Sequence, residues 1–216
     1  VAHKEQLLAQ MREAALVIEH GYDGITPGYI AQAVAVEFPG FGDRIMTAAH
    51  NVVAETVVVV NPSTKNRIKQ SFVSYTPEDA PDTGVSRHPY GENLGKRKPL
   101  KAGEMPEPGD EIIILVTRHI GNGELQENII EGTMAGKMVC PHDNYEYPFF
   151  NVTSGEALFG DSGGMVVPLT RNGIPQTKAE LVGVYHAGSE RGRISPVPQQ
   201  ILEQTRQVSD FYRDVA

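Results

Sequence analysis

The sequence predicts a mainly β protein, two blocks of short strands packed as a sandwich or as barrels, with a helix at each end. Three observations carry this. Alternating and β-branched runs recur over residues 29–82 and again from residue 110 to 188. A polar stretch rich in Pro and Gly, residues 76–108, separates the two blocks. Amphipathic three- and four-residue spacing is confined to the two ends of the chain.

The first element is "AHKEQLLAQMREAALVIE". Leu7, Leu8, Met11, Ala14, Ala15 and Ile18 form one apolar stripe, which predicts a helix stopped by Gly21 and Gly24. Residues 1–20 are thus a helical segment ahead of a first β unit, residues 21–100, and a second, residues 101–216. In the first unit "YIAQAVAVEF" alternates, "RIMTAAH" is short and mixed, and "ETVVVV" is β-branched. In the second, "DEIIILVTR", "ENIIEGTMAGKMV", "GMVVPL" and "AELVGVYHAG" are the strand candidates. After Pro198 a closing helix is predicted, with Ile201, Leu202, Thr205, Val208 and Phe211 on its apolar stripe.

A chain of 216 residues buries a sizeable core without staples. Its net charge of −8 argues against a nucleic-acid footprint, which needs a basic face. The one densely basic run, "GKRKPLK", reads as a solvated linker. The single cysteine, Cys140, rules out an intrachain disulfide and reads as an inert buried thiol. No apolar run approaches the ~18 residues of a membrane span. These features predict a soluble chain that is cytosolic, secreted from a bacterium, or virus-encoded. The chain opens on Val1 rather than Met, so any leader is expected to be already gone or to lie outside this sequence.

The stretch "LFGDSGGMVV" places three glycines around Ser162 and then enters an apolar run. A serine hydroxyl is a poor nucleophile. It needs a base for its proton and donors for the oxyanion that its attack creates. A glycine-rich turn lets the N–H groups of Gly160 and Ser162 converge on one point, while Gly163 and Gly164 clear space for a substrate and the next strand. "IMTAAHNVV" sets His50 among small neighbours after a strand-like run, where an imidazole can face a cleft.

Together "TAAH" and "GDSGG", histidine first, resemble the chymotrypsin-like, or trypsin, family of serine proteases. "PGDEIIILV", "ELVGVYHAG" and "PVPQQILEQTRQV" are more weakly similar to that family's second-barrel strand, pocket strand and C-terminal helix. The resemblance covers roughly residues 25–208. It implies two antiparallel six-stranded β-barrels with the active site between them, His50 as general base and Ser162 as nucleophile. It also implies an aspartate that orients the imidazole. "DTGV" fits the family's pattern better than "DAPD", so Asp82 is the first choice and Asp79 the second. Met165 stands where the family usually has proline, and the absence of disulfides points to its cysteine-poor bacterial or viral branches.

The resemblance places Glu156 at the floor of the specificity pocket and Tyr185, His186, Ala187 and Gly188 along its wall. A carboxylate there would favour Lys or Arg before the cut. Relatives that cut after Glu or Gln often carry "G-x-H" on this strand; here His186 comes one residue later and faces the other way in a regular strand. Many members also pair a newly formed N-terminus with the aspartate before the nucleophile, here Asp161. Val1 leads into a helix instead, so other donors are expected for Asp161.

His3, His20, His88, His119 and His142 are scattered without metal-ligand spacing, and no phosphate-binding loop occurs, so no metal and no cofactor are expected. The expected partner is a protein or peptide substrate, and the N-terminal helix is a candidate oligomerisation element. Two alternatives stand beside an active peptidase: a protease-like module that binds peptides without cleaving them, and a viral polyprotein-processing protease with Glu/Gln preference.

Overall fold

The computed structural model describes residues 2–20, 29–52, 56–75 and 80–215. Helix α1 (Ala2–Ala14) runs directly into strand β1 (Ala15–His20). The periodicity predicted helix through Ile18, but the helix ends at Ala14. Val17 and Ile18 are β-branched and favour extended backbone. Their segment pairs on both sides, with β2 (Tyr29–Val36) and β4 (Val57–Val60), so it lies inside a sheet. Leu7, Leu8 and Met11 remain a helical face, fully buried against the core. Gly21 and Gly24 lie outside the described residues.

The first unit is completed by β3 (Arg44–Ala48), β5 (Arg67–Gln70), β6 (Phe72–Ser74) and β7 (Thr83–Ser86). Its seven antiparallel strands follow the order β5-β4-β1-β2-β3-β7-β6. The two end strands, β5 and β6, are separated in sequence only by Ser71. The sheet therefore curls until its ends nearly meet, and β5 with β6 takes the place of one bent strand in a six-membered round.

The connection carries a short 3₁₀ turn, Glu92–Leu94, and β8 (Lys101–Ala102). The second unit is a closed six-stranded antiparallel barrel, β10-β11-β17-β16-β12-β9. Its strands are β9 (Glu111–Gly121), β10 (Glu124–Val139), β11 (Glu146–Ser154), β12 (Met165–Pro168), β16 (Gly183–Ala187) and β17 (Arg191–Pro196). A small hairpin, β13 (Thr170–Arg171) with β14 (Ile174–Pro175), and β15 (Glu180–Leu181), which pairs with β8, decorate it. The molecule is thus a chymotrypsin-like double barrel.

The apolar run of β9 explains how the barrels join. Ile112, Ile114 and Val116 point into the second barrel, against Phe150, Val166 and Ile194. Ile113 and Leu115 point the other way, into a core shared with Leu7, Val34 and Met46. A strand buried on both faces needs a continuous hydrophobic sequence rather than an alternating one. Helix α2 (Gln199–Val215) docks only by its first turns: Ile201 is buried, whereas Val208 and Phe211 are exposed. No helix among the described residues is long and apolar enough to cross a membrane.

Candidate active site

Three side chains from separate segments meet in the crevice between the barrels. His50 sits on a 3₁₀ turn, Ala49–Asn51, at the end of β3. Asp82 sits just before β7, in a left-handed conformation with φ of 56°, which Asp tolerates better than most residues. Its backbone carbonyl accepts from Ala49 N–H at 2.7 Å and its Oδ1 from His50 N–H at 2.9 Å, so the histidine turn is fastened to it twice. Gly84 is small for a packing reason: a Cβ there would lie 2.9 Å from Val52 Cγ2. Asp79 lies outside the described residues.

Asp82 Oδ2 lies 2.6 Å from His50 Nδ1, and His50 Nε2 lies 2.5 Å from Ser162 Oγ. A carboxylate can only accept, so Nδ1 carries the proton and Nε2 is left to accept the serine's. Burial pushes the Asp82 carboxyl up, but hydrogen bonds from His186 and His50 outweigh it and hold the group at about 2. The acid is therefore ionised at neutral pH.

The glycines around Ser162 have distinct reasons. Gly163 has φ of +92°, and a Cβ there would stand 1.9 Å from the Gln32 carbonyl oxygen of the first barrel. Gly164 has Val116 Cγ1 at 2.9 Å from the same kind of probe position. The Asp161 carbonyl accepts from Gly164 N–H at 3.0 Å, which turns the Ser162 N–H of the same peptide outward. The Ser162 carbonyl accepts from Gln32 N–H and from Asn51 Nδ2, both at 2.9 Å. Buried Gln32 also donates through Nε2 to the carbonyls of Gly160, 3.0 Å, and Thr117, 2.6 Å. One side chain of the first barrel thus holds the turn of the second.

Asp161 is fully buried and faces inward. Its Oδ1 accepts from Arg118 Nε at 2.9 Å, and its Oδ2 from Arg118 Nη2 at 2.6 Å and Leu158 N–H at 2.7 Å. The donors left open by the sequence are therefore an arginine of β9 and a local amide.

A cavity of about 460 Å³ opens beside Ser162 and His50. Its walls include Ala157, Leu158, Tyr185, His186, Ala187 and Gly188. Glu156 is not among the lining residues; its side chain is exposed, and its carbonyl accepts from Arg118 Nη2 at 2.6 Å. A larger groove of about 750 Å³ lies beside Gln10, Glu13, Lys98 and Glu180, but no histidine, serine or cysteine among the described residues lines it. His186 does more than line the wall. The pairing of β16 with β17 slips between Tyr185 and Ala187, and His186 Nδ1 lies 2.6 Å from Asp82 Oδ2. Asp82 thus receives two histidines.

Arg118, Gln32, Asn51 and the contact of His186 with Asp82 escaped the reading of motifs. Gln32 left a signal, a large polar residue at a buried position of the alternating run "YIAQAVAV".

Among solved structures the chain is similar to the inactive form of Rv3671c protease, with a TM-score of 0.61 and 18% identity over 95% of this chain and 94% of that one. It is also similar to an inactive serine-to-alanine mutant of Rv3671c from M. tuberculosis H37Rv, with a TM-score of 0.58 and 18% identity over 94% and 91% of the two chains. No protein-family model and no curated protein matches it. At this identity the likeness concerns the fold.

Proposed function

We propose that the chain is a serine endopeptidase that cleaves peptide bonds through an acyl-enzyme. The observation that carries this is His50, set 2.5 Å from Ser162 Oγ on one side and 2.6 Å from Asp82 Oδ2 on the other, at the rim of a cavity. Ser162 Oγ attacks the scissile carbonyl as its proton passes to His50 Nε2. Asp82 fixes the tautomer and stabilises the imidazolium that forms. The N–H groups of Gly160 and Ser162 receive the oxyanion. The imidazolium then protonates the leaving amine, and a water activated by His50 releases the acyl group. Similarity to a protease fold agrees with this reading.

The cavity favours an uncharged side chain before the cut. Beside the polar groups of the proposed machinery its lining includes Ala157, Leu158, Phe159, Tyr185, Ala187 and Gly188, and among the described residues it holds no carboxylate, lysine or arginine. Glu156 stands outside it, so the basic preference that the resemblance implied lacks its counter-charge. The test is labelling by a fluorophosphonate, read by mass spectrometry. The wild-type chain takes up one equivalent on Ser162, and Ser162→Ala and His50→Ala take up none. A folded wild-type chain that neither labels nor cleaves a mixed peptide library would be a binding module instead.

A further inference from the structure

The contact between His186 and Asp82 continues beyond the three residues of the proposed peptidase. Cys140, Asp143 and His186 each bring a ligand-type atom into one cluster, the atoms all within 4.8 Å of one another. Cys140 and Asp143 belong to the turn between β10 and β11. This turn is closed by Asn144 N–H to the Cys140 carbonyl, 2.9 Å, and by Cys140 N–H to the Tyr145 carbonyl, 2.8 Å. His186 comes from β16, across the barrel wall. Cys140 and His186 are buried, and Asp143 is half-buried.

We infer that Cys140, Asp143 and His186 form a binding site for a thiophilic divalent cation such as Zn²⁺. One thiolate, one carboxylate and one imidazole are the donor set that suits this ion, with a fourth tetrahedral position left to water. The surroundings match what such sites require around their ligands. A metal-bound histidine donates its other ring N–H to a carboxylate, which fixes its tautomer. Here Nδ1 of His186 is engaged with Asp82 at 2.6 Å, so Nε2 is the nitrogen left for the ion. A ligating carboxylate is itself held by hydrogen bonds. Asp143 Oδ2 accepts from Tyr147 OH at 2.6 Å and its Oδ1 from Tyr145 N–H at 3.0 Å. The buried Tyr147 ring stacks on His186, with centroids 4.4 Å apart and planes 14° from parallel, which restrains the imidazole. A bound ion would draw the ligand atoms to roughly 3.5 Å apart. Binding displaces the Cys140 Sγ proton to solvent and leaves a thiolate–metal bond, with no change of oxidation state. Because His186 also touches Asp82, the site would connect a metal ion to the acid of the proposed triad.

Linear spacing concealed this site, since Cys140 and Asp143 lie 46 and 43 positions before His186. The chain's single cysteine makes the test specific. Cobalt(II) and zinc titrations on the Ser162→Ala chain remove self-cleavage and read binding independently of any peptidase activity. The expected result is one equivalent bound, with a thiolate-to-cobalt charge-transfer band that zinc abolishes. Cys140→Ser removes the band, and Asp143→Asn weakens zinc binding at least tenfold, both in chains whose circular dichroism is unchanged. Absence of the band in the Ser162→Ala chain overturns the inference. So does zinc binding retained at full strength in folded Cys140→Ser, which would place the ion elsewhere, on His50 and Asp82 for example.

Discussion

Arg118 grips Asp161, the residue just before Ser162, with two parallel hydrogen bonds of 2.9 and 2.6 Å. The cation comes from β9, inside the chain, and not from a terminus. Asp161 is fully buried, and Arg118 is its charged partner. Breaking such a pair costs about 3 kcal/mol, because it leaves an uncompensated charge. Arg118→Ala is expected to lower stability by about that amount and to slow fluorophosphonate labelling of Ser162 ~100-fold, the scale of a lost oxyanion donor. Arg118→Lys keeps the charge but not the two-pronged geometry and should fall between. Residues fused ahead of Val1 should leave the labelling rate unchanged. A chain that labels only after its N-terminus is freed would show that an internal arginine does not suffice.

In the proposed mechanism Asp82 serves the imidazole as tautomer lock and as counter-charge, and the two roles can be separated. Asp82→Asn preserves shape but lets His50 place its proton on Nε2, where it no longer accepts from Ser162. The expected loss in kcat is about 10⁴-fold, with KM little changed, because Asp82 does not line the cavity. Ser162→Ala and His50→Ala should each reduce kcat by about 10⁴- to 10⁶-fold, and the double variant no further. Steady-state kinetics on one good peptide substrate checks all four chains.

How much of this was legible in the sequence follows from what each residue answers to. Ser162 and His50 stand in short local patterns, so both could be named as candidates from their neighbours alone. Four strands of the second barrel were equally plain, β9 above all with its continuous "IIILV" run buried on both faces, whereas β11 and β17, short of apolar alternation, were not legible. Ala15–His20 was misread as helix because a stripe of Ala, Leu and Ile suits either period, and only pairing with β2 and β4 decides between them. Strands β5 and β6 were missed because they are short and largely exposed, with little apolar alternation. Arg118 and His186 act through partners 43 and 104 residues away in sequence, a distance that no local pattern spans.

Gly163 separates folding from chemistry. Its backbone is left-handed, and a methyl group there would overlap the Gln32 carbonyl. Gly163→Ala combines backbone strain of about 1–3 kcal/mol with overpacking of about the same size. It should lower the melting temperature and disturb the hydrogen bond from Gln32 N–H to the Ser162 carbonyl. Ser162→Ala, one residue away, should keep the wild-type melting temperature within a degree or two. Differential scanning calorimetry on the two variants decides whether barrel-to-barrel contact at this turn is as tight as the distances state.

The cavity lining makes a prediction about substrates that runs against the placement of Glu156. Cleavage-site profiling on a mixed peptide library is expected to show uncharged side chains before the cut. Glu156→Ala should leave that preference unaltered, since its side chain is exposed and stands apart from the walls. Ala187→Asp introduces a carboxylate into the wall and should shift selection toward Lys and Arg by tenfold or more, through a charge-assisted hydrogen bond in a partly desolvated site. A strong basic preference in wild type that Glu156→Ala removes would mean that the loop carrying Glu156 closes over bound substrate.

Asp110, just before β9, is expected to contribute to the loss of stability in acid. It is buried at 5% exposure, and burial alone pushes its carboxyl up. The amides of Gly173 and Asn172, each at 3.1 Å, and the Thr170 hydroxyl at 3.2 Å outweigh burial and hold it below the usual carboxylate range. The folded state therefore binds this proton less readily than the unfolded state. Its contribution is fully present above the unfolded carboxyl value of 3.8 and is lost as pH falls through the lower folded value. Asp110→Ala leaves two turn amides without their acceptor and should cost about 1–3 kcal/mol at pH 7. Urea denaturation of both chains from pH 7 to pH 3 should show the gap narrowing on the acid side. A gap that stays constant across that range would mean that Asp110 supports the β13–β14 hairpin by shape alone, without its charge.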